Sequence, residues 1–347
     1  MSLADPVEPR DENRGALERI FAVIPPASGA VVMGTGIVSV ALFFDDHDAL
    51  SRILLLIAAS AWIALGVILV ARVVRDHAGF LVEARSPAAL TGVAGTAVLG
   101  TRLVLLGWYS AGIVLFVIAL ALWLGLVVTV LRSWIVPTVG ASFILTVSTE
   151  SLALLAATLA LSGHTHWLLG ISLIPFVLGL AFYLFVLAHF DFRQLAIGHG
   201  DHWVSGGALA ISTLVAGKIL VAAKTLGMFG SHQGTLKTLT LGLWVLTMLW
   251  LPALLIAEVR HRRPHYNVRR WSTVFPFGMY AACSFIVGTA AGAPRITDFA
   301  RIWIWVATAV WLVTFTAMLH RGRRLIRGDT PRTSPNRHKQ RHLKAGR

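Results

Sequence analysis

The chain has 347 residues, of which 56% are hydrophobic and 13% charged, and its formal net charge is +14. Soluble domains carry about 25% charged residues; that deficit, with apolar runs of about 20 residues recurring along the chain, excludes a soluble fold and reads as a polytopic, all-α membrane protein. The single cysteine, Cys283, excludes an internal disulfide framework and a Cys-based zinc cluster, and the basic surplus gathers in loops and a C-terminal tail, where it sets topology rather than binding nucleic acid.

Residues 1–21 are polar, acidic through Glu18, and lack the charged-then-apolar pattern of a cleaved signal. They are expected to be a cytoplasmic segment, with the first helix retained. Ten spanning helices are expected at 22–44, 50–72, 87–107, 110–131, 138–162, 166–190, 204–226, 236–257, 271–291 and 297–319, one membrane domain over 22–319. Residues 320–347, rich in Arg, Lys, His, Ser and Pro, read as a basic, disordered tail. An even number of spans puts both termini on one side. That side collects about 23 of the 30 Lys and Arg residues, so both termini are expected in the cytoplasm of a cell-membrane protein. Trp134, Trp203 and Trp271 fall where odd helices leave that interface, a usual place for an amphipathic ring.

Connections after odd helices are short and most of those after even helices longer, which pairs the spans into five hairpins. The two classes also differ in composition. Even helices are bulky, as in Gly112 to Val128. Odd helices carry small and hydroxylated residues: Thr35 and Ser39 in the first, Thr96 in the third, Thr146 and Thr149 in the fifth, Ser212 in the seventh, Tyr280 and Ser284 in the ninth. Close helix packing alone accounts for many small residues in membranes. The ninth span is also interrupted by Pro276, flanked by Phe275 and Phe277. A small, polar, kinked span with aromatic plugs reads as the wall of a permeation path.

The ionisable residues within spans follow the same alternation, since Arg102, Glu150 and Lys218 all lie on odd helices. Such groups face a cavity or one another. Arg102 and Lys218 fall in the outer third, where snorkelling to the interface is the plainer reading. Glu150 lies near mid-depth and must pair with a cation or titrate. A wet path with two cations near its outer mouth favours anions.

The histidine-rich set His164, His166, His189, Asp191, His199, Asp201 and His202 splits between the two ends of the sixth helix. A span of ~30 Å separates the halves. The inner half is the basis for a rival reading, an intramembrane metalloenzyme, but loop polar residues are the plainer account. No metal ligand or cofactor is assigned.

Four stretches carry a resemblance: Met33-Gly-Thr-Gly-Ile-Val-Ser39, Trp134-Ile-Val-Pro-Thr-Val139, Asp201-His-Trp-Val-Ser-Gly-Gly-Ala-Leu-Ala-Ile211 and Phe275-Pro-Phe-Gly-Met-Tyr280. In that order they resemble the tellurite-resistance/C4-dicarboxylate transporter family, which includes fungal malate and sulfite transporters and the plant slow-type guard-cell anion channel. The resemblance implies five hairpins in quasi-fivefold array, odd helices around a central pore, and a homotrimer in the lipid bilayer. It also implies a pore-plugging phenylalanine, carried over to Phe275 with Phe277 as second choice. The expected function is transport of small anions or C4-dicarboxylates, not an enzymatic one. The alternative within transport is proton-coupled carriage or efflux of malate or sulfite using Glu150.

Overall fold

The computed structural model describes residues 26–161, 165–197, 200, 202–261 and 266–326, and these are nearly all helical. Ten long helices follow in order: α1 (Gly29–Phe44), α2 (Asp48–Arg75), α3 (Thr91–Leu105), α4 (Tyr109–Arg132), α5 (Ile144–Ala160), α6 (Leu168–Ala188), α7 (Trp203–Thr225), α8 (Gln233–Arg260), α9 (Trp271–Ala291) and α10 (Pro294–Ile326). Two short helices, His77–Glu83 and Gln194–Ile197, lie in the links. Among the described residues nine helices, α2 to α10, are long and apolar enough to cross a membrane, whereas α1 has 16 residues and falls short of that measure.

Most boundaries fall within a few residues of the expected ones, with three larger differences. Helix α1 starts at Gly29 rather than at 22, after a 3₁₀ turn over Pro26–Ser28, and 22–25 lie outside the described residues. Helix α5 starts at Ile144 rather than at 138, because Thr138 forms an isolated bridge to Phe190 and a 3₁₀ turn, Gly140–Phe143, intervenes. Helix α10 continues to Ile326, past the end expected at 319. Nothing in Leu319 to Ile326 breaks a helix as proline would. At ~1.5 Å per residue α10 outruns a ~30 Å hydrocarbon core, so its basic last turns stand clear of it.

Burial alternates along the chain. Within their most apolar stretches α3, α5, α7 and α9 are 72 to 100% buried, while the even helices are 17 to 28% buried. Twelve of the sixteen residues of α1 are buried as well. The five odd helices form a closed ring: α1 packs on α3, α3 on α5, α5 on α7, α7 on α9, and α9 back on α1. Each even helix packs on the odd helix before it and on the next one round the ring, so it fills the groove between them. This arrangement corrects the expected setting of the tryptophans. Trp203 and Trp271 are fully buried and donate to Glu258 and to the Tyr266 hydroxyl; only Trp134 keeps partial exposure. The rings of α7 and α9 are shielded because the outer helices stand between them and lipid.

Close approach explains much of the glycine in the ring. A Cβ on Gly29 would lie 2.6 to 2.7 Å from Thr91 and the Gly92 backbone nitrogen of α3. Neither is the free end of a flexible side chain. By contrast Gly66, on α2, has nothing within 4 Å of that position. At the last turn Gly292, at φ +66, ends α9 and Pro294 opens α10, the glycine-then-proline order that a tight helical hairpin favours.

Gly29→Ala should therefore lower stability by ~1–3 kcal/mol through overpacking, whereas Gly66→Ala should leave it unchanged or raise it by up to ~1 kcal/mol. Thermal unfolding of the purified variants in one detergent checks this. Equal midpoints for the two would mean that the α1–α3 contact tolerates a methyl group.

Candidate functional site

Successive residues of a helix point about 100° apart, so neighbours on known faces fix the direction of the remainder. On α9, Val274 abuts Gly34 of α1, and a Cβ on Gly278 would stand 2.7 Å from Ile37 of the same helix. Pro276 and Ile286 meet Gly207 and Gly217 of α7. Tyr280 donates to the Thr247 carbonyl of α8 at 3.0 Å, and Ser284 accepts from the Trp244 indole of α8 at 3.0 Å. Phe277 looks toward α10, stacked on Trp303 at 5.2 Å with Trp203 at 4.7 Å. The face left between α1 and α7 carries Phe275, Met279 and Ala282, and that face looks into the ring. Phe275 is fully buried there. A 3₁₀ turn, Val268–Arg270, runs directly into α9, so Phe275 stands deeper in continuous helical structure than its position after Trp271 suggests.

Lys218 takes the corresponding direction on α7. Ser212 reaches toward α5 and Gly207 meets α9; Lys218 falls on the arc between them. It is buried, and among the described residues no hydrogen bond or ion pair engages its ammonium. It lies eleven residues beyond Gly207, or ~16 Å further along the helix.

The hydroxyls singled out in the sequence mostly serve the seams between helices. Trp62 of α2 donates its indole N–H to Thr96 of α3 at 2.9 Å, and Trp123 of α4 donates to Thr149 of α5 at 3.0 Å. Trp244 of α8 does the same to Ser284 of α9, and Trp311 of α10 to Thr35 of α1, both at 3.0 Å. Each bond runs from an outer helix to the next inner one, so one contact recurs at four of the five joints of the ring. Ser39 is also turned outward, exchanging 2.6 Å bonds with Ser51 of α2.

The fifth joint, between α6 and α7, is built differently. Helix α6 has no tryptophan. Its Gly179 leaves room for the Glu150 side chain of α5, whose Oε1 accepts the Ser212 hydroxyl of α7 at 2.8 Å. Glu150 is fully buried, and its Oε2 has no hydrogen-bond partner among the described residues. One turn earlier on α5, the Thr146 hydroxyl oxygen is likewise buried without one. No cation pairs with Glu150 among the described residues, so the carboxyl stands alone in the joint.

Arg102 takes another course. Its guanidinium is fully buried, and Nε donates to Ser51 at 2.9 Å. Nη2 lies 3.5 Å from an Asp48 oxygen, and the Phe43 ring is 4.4 Å away. It ties the end of α1 and the start of α2 to the end of α3. The structure thus brings Glu150 and Ser212 together, sets Lys218 and Phe275 on inward faces, and directs Arg102 outward. Of the histidine set, His164, His199 and Asp201 lie outside the described residues, among which no group of three His, Cys, Asp or Glu side chains suits a metal.

Sequence reasoning passed over Trp62, Trp123, Trp244 and Trp311. The signal was there: four of the five even helices carry a tryptophan within the span, where an indole N–H needs a partner, and the one without it adjoins the helix bearing the glutamate.

A family model described as "SLAC1: Voltage-dependent anion channel" matches residues 23–319. Two curated relatives, both uncharacterized membrane proteins of Mycobacterium tuberculosis, from strains CDC 1551 / Oshkosh and H37Rv, are 36% identical over 124 residues. Each match covers 34% of this chain, and the chain spans 62% of the length of those relatives.

Trp62→Phe and Trp123→Phe keep a ring in each joint and remove only the donor. Each should lower stability by about 0.6–1.7 kcal/mol, the range of polar helix–helix contacts in membranes. Unfolding midpoints in detergent report the loss; wild-type midpoints in both variants would show that these bonds contribute nothing to the ring.

Proposed function

Because the chain belongs to the voltage-dependent anion channel family, we propose that the interior of its five-helix ring is an anion pathway closed by Phe275. Membership implies anion transport across a membrane; the route, the gate and the cargo are the proposal. Its main support is the inward face of α9, where Phe275 is the large aromatic among small or flexible side chains. An aromatic ring in a narrow apolar bore excludes ions both sterically and by dewetting. Pro276 is seated against the bare backbone of Gly207, which holds the direction of Phe275. Phe277, held between Trp203 and Trp303, is a packing residue in this reading.

The attraction for anions rests on Lys218. Among the described residues no carboxylate pairs with this buried ammonium, so it keeps its field, which low-dielectric walls would focus along the bore. Arg102, with Asp48 beside it, has its charge offset and acts chiefly to hold the α1–α2 hairpin. The cargo is a small inorganic anion or a C4-dicarboxylate. The five pairs α1–α2 to α9–α10 are the five membrane hairpins, both termini are cytoplasmic, and three copies form the assembly.

Replacing Phe275 with Ala should raise anion conductance in planar bilayers at least ten-fold, while Phe277→Ala should lower stability without comparable flux. Conductance unchanged by the first substitution would remove Phe275 from the gate.

A second reading, proton-coupled carriage of malate or sulfite, is favoured by the lone buried carboxyl of Glu150. Glu150 is fully buried, Oε1 accepts from Ser212, and Oε2 has no hydrogen-bond partner among the described residues, so it offers a place where a proton could be held and released. Glu150→Gln keeps an acceptor for Ser212 and cannot titrate. In reconstituted vesicles it should flatten the dependence of uptake on pH; a pH profile identical to wild type would exclude Glu150 as the proton site.

A further inference from the structure

A cavity of about 470 Å³ opens between α2 and α4 and is floored by the outer sides of α1 and α3. Three of its lining residues, Gly66 of α2, Gly92 of α3 and Gly125 of α4, have no atom within 4 Å of where a Cβ would stand. Gly29 and Gly95 are explained by the contact of α1 with α3. At each of these three glycines, one from each of three helices, a side chain would meet open space, and the spaces join in a single void, although the Gly92 backbone also receives Gly29 of α1.

Shape and charge both limit what fills it. The lining runs from Trp62 to Arg72 along α2, ten residues or ~15 Å, which is half of a ~30 Å hydrocarbon core and so the depth of one leaflet. Its volume suits a single small ligand or chain. Its walls are almost wholly apolar apart from one end. There Arg72 pairs with Glu83, and Arg75, Arg85 and Arg132, exposed, follow the lining residues Arg72, Ala84 and Thr129 by one to three positions; among the described residues these four arginines stand against Glu83 and Asp76. An apolar slot one leaflet deep, ending at a surplus of positive charge, matches a lipid with an anionic headgroup.

We propose that this cavity binds one anionic glycerophospholipid of the bilayer, with an acyl chain along Gly66, Gly92 and Gly125 and the phosphate at the arginine rim. The bound chain lies against α1 and α3 and beside the Trp62–Thr96 bond. The lipid therefore forms part of the support behind two ring helices. The proposal rests on the chain being a membrane protein and not on what passes through the ring.

The test uses the full chain in nanodiscs of equal phosphatidylglycerol and phosphatidylcholine, transferred to mild detergent and examined by native mass spectrometry. Wild type should retain one phosphatidylglycerol per chain, favoured at least ten-fold over phosphatidylcholine. Gly66→Leu with Gly125→Leu fills open space, so it should keep the wild-type unfolding midpoint and lose the retained lipid. Arg75→Gln with Arg132→Gln should keep a lipid while its preference for the anionic one falls several-fold; because this pair is exposed, it remains informative if the leucine variant misfolds. Equal retention of both lipids by wild type would overturn the proposal. So would an undiminished lipid in a folded leucine variant, or a Gly125→Cys disulfide between two copies with no lipid retained, which would make a second copy the occupant.

Discussion

A hydrogen-bonding group placed within a bilayer has no water to fall back on, so its partner must come from the protein. Four of the five outer helices meet this demand with one kind of bond while covering the ring. A tryptophan offers a broad apolar surface to its surroundings and one N–H that must be satisfied; a threonine or serine on the next inner helix accepts it. The hydroxyl commonly donates in turn to the carbonyl one turn back, as Thr96 does to Gly92 and Thr149 to Leu145. The bond and the packing therefore hold the outer helix in the same groove.

The same demand explains how two buried charges are handled. Arg102 draws on Asp48, Ser51 and the face of Phe43, partners that tie the ends of α1 and α3 to the start of α2, while Nη1 and Nη2 have no hydrogen bond among the described residues. Among the described residues Glu150 has only Ser212. It occupies the joint that lacks a tryptophan, so the quasi-fivefold pattern is broken where an ionisable group is present. A structural element and a chemical one thus share one place in the ring.

Small residues have two roles that become distinct only in three dimensions. Gly29, Gly207 and Gly278 let backbones or rigid side chains of neighbouring ring helices come together, and that closeness draws the ring tight. Gly66 and Gly125 bring nothing together, and Gly92, whose backbone meets Gly29, is open where its own side chain would stand; all three leave room on the outer side of the ring.

Much of the architecture was legible in the chain. Run lengths, short and long links, and the concentration of hydroxyls and charges on alternate spans depend on local composition and the thickness of a membrane, so they survive without coordinates. The buried state of the odd helices followed from them, as did the presence of Phe275 and Lys218 on buried helices. The facing of individual side chains did not follow, because rotation about a helix axis is decided by which neighbour each face meets. Thr35, Thr96, Thr149 and Ser284 read as lining yet bond outward to tryptophans, Arg102 turns to its own hairpin partner, and Phe275 differs from Phe277 only through the helices that α9 packs against. Amino-acid order settled which helices are inner and which outer; the closing of α9 onto α1, a contact between distant parts of the chain, decided what each inner helix shows to the axis.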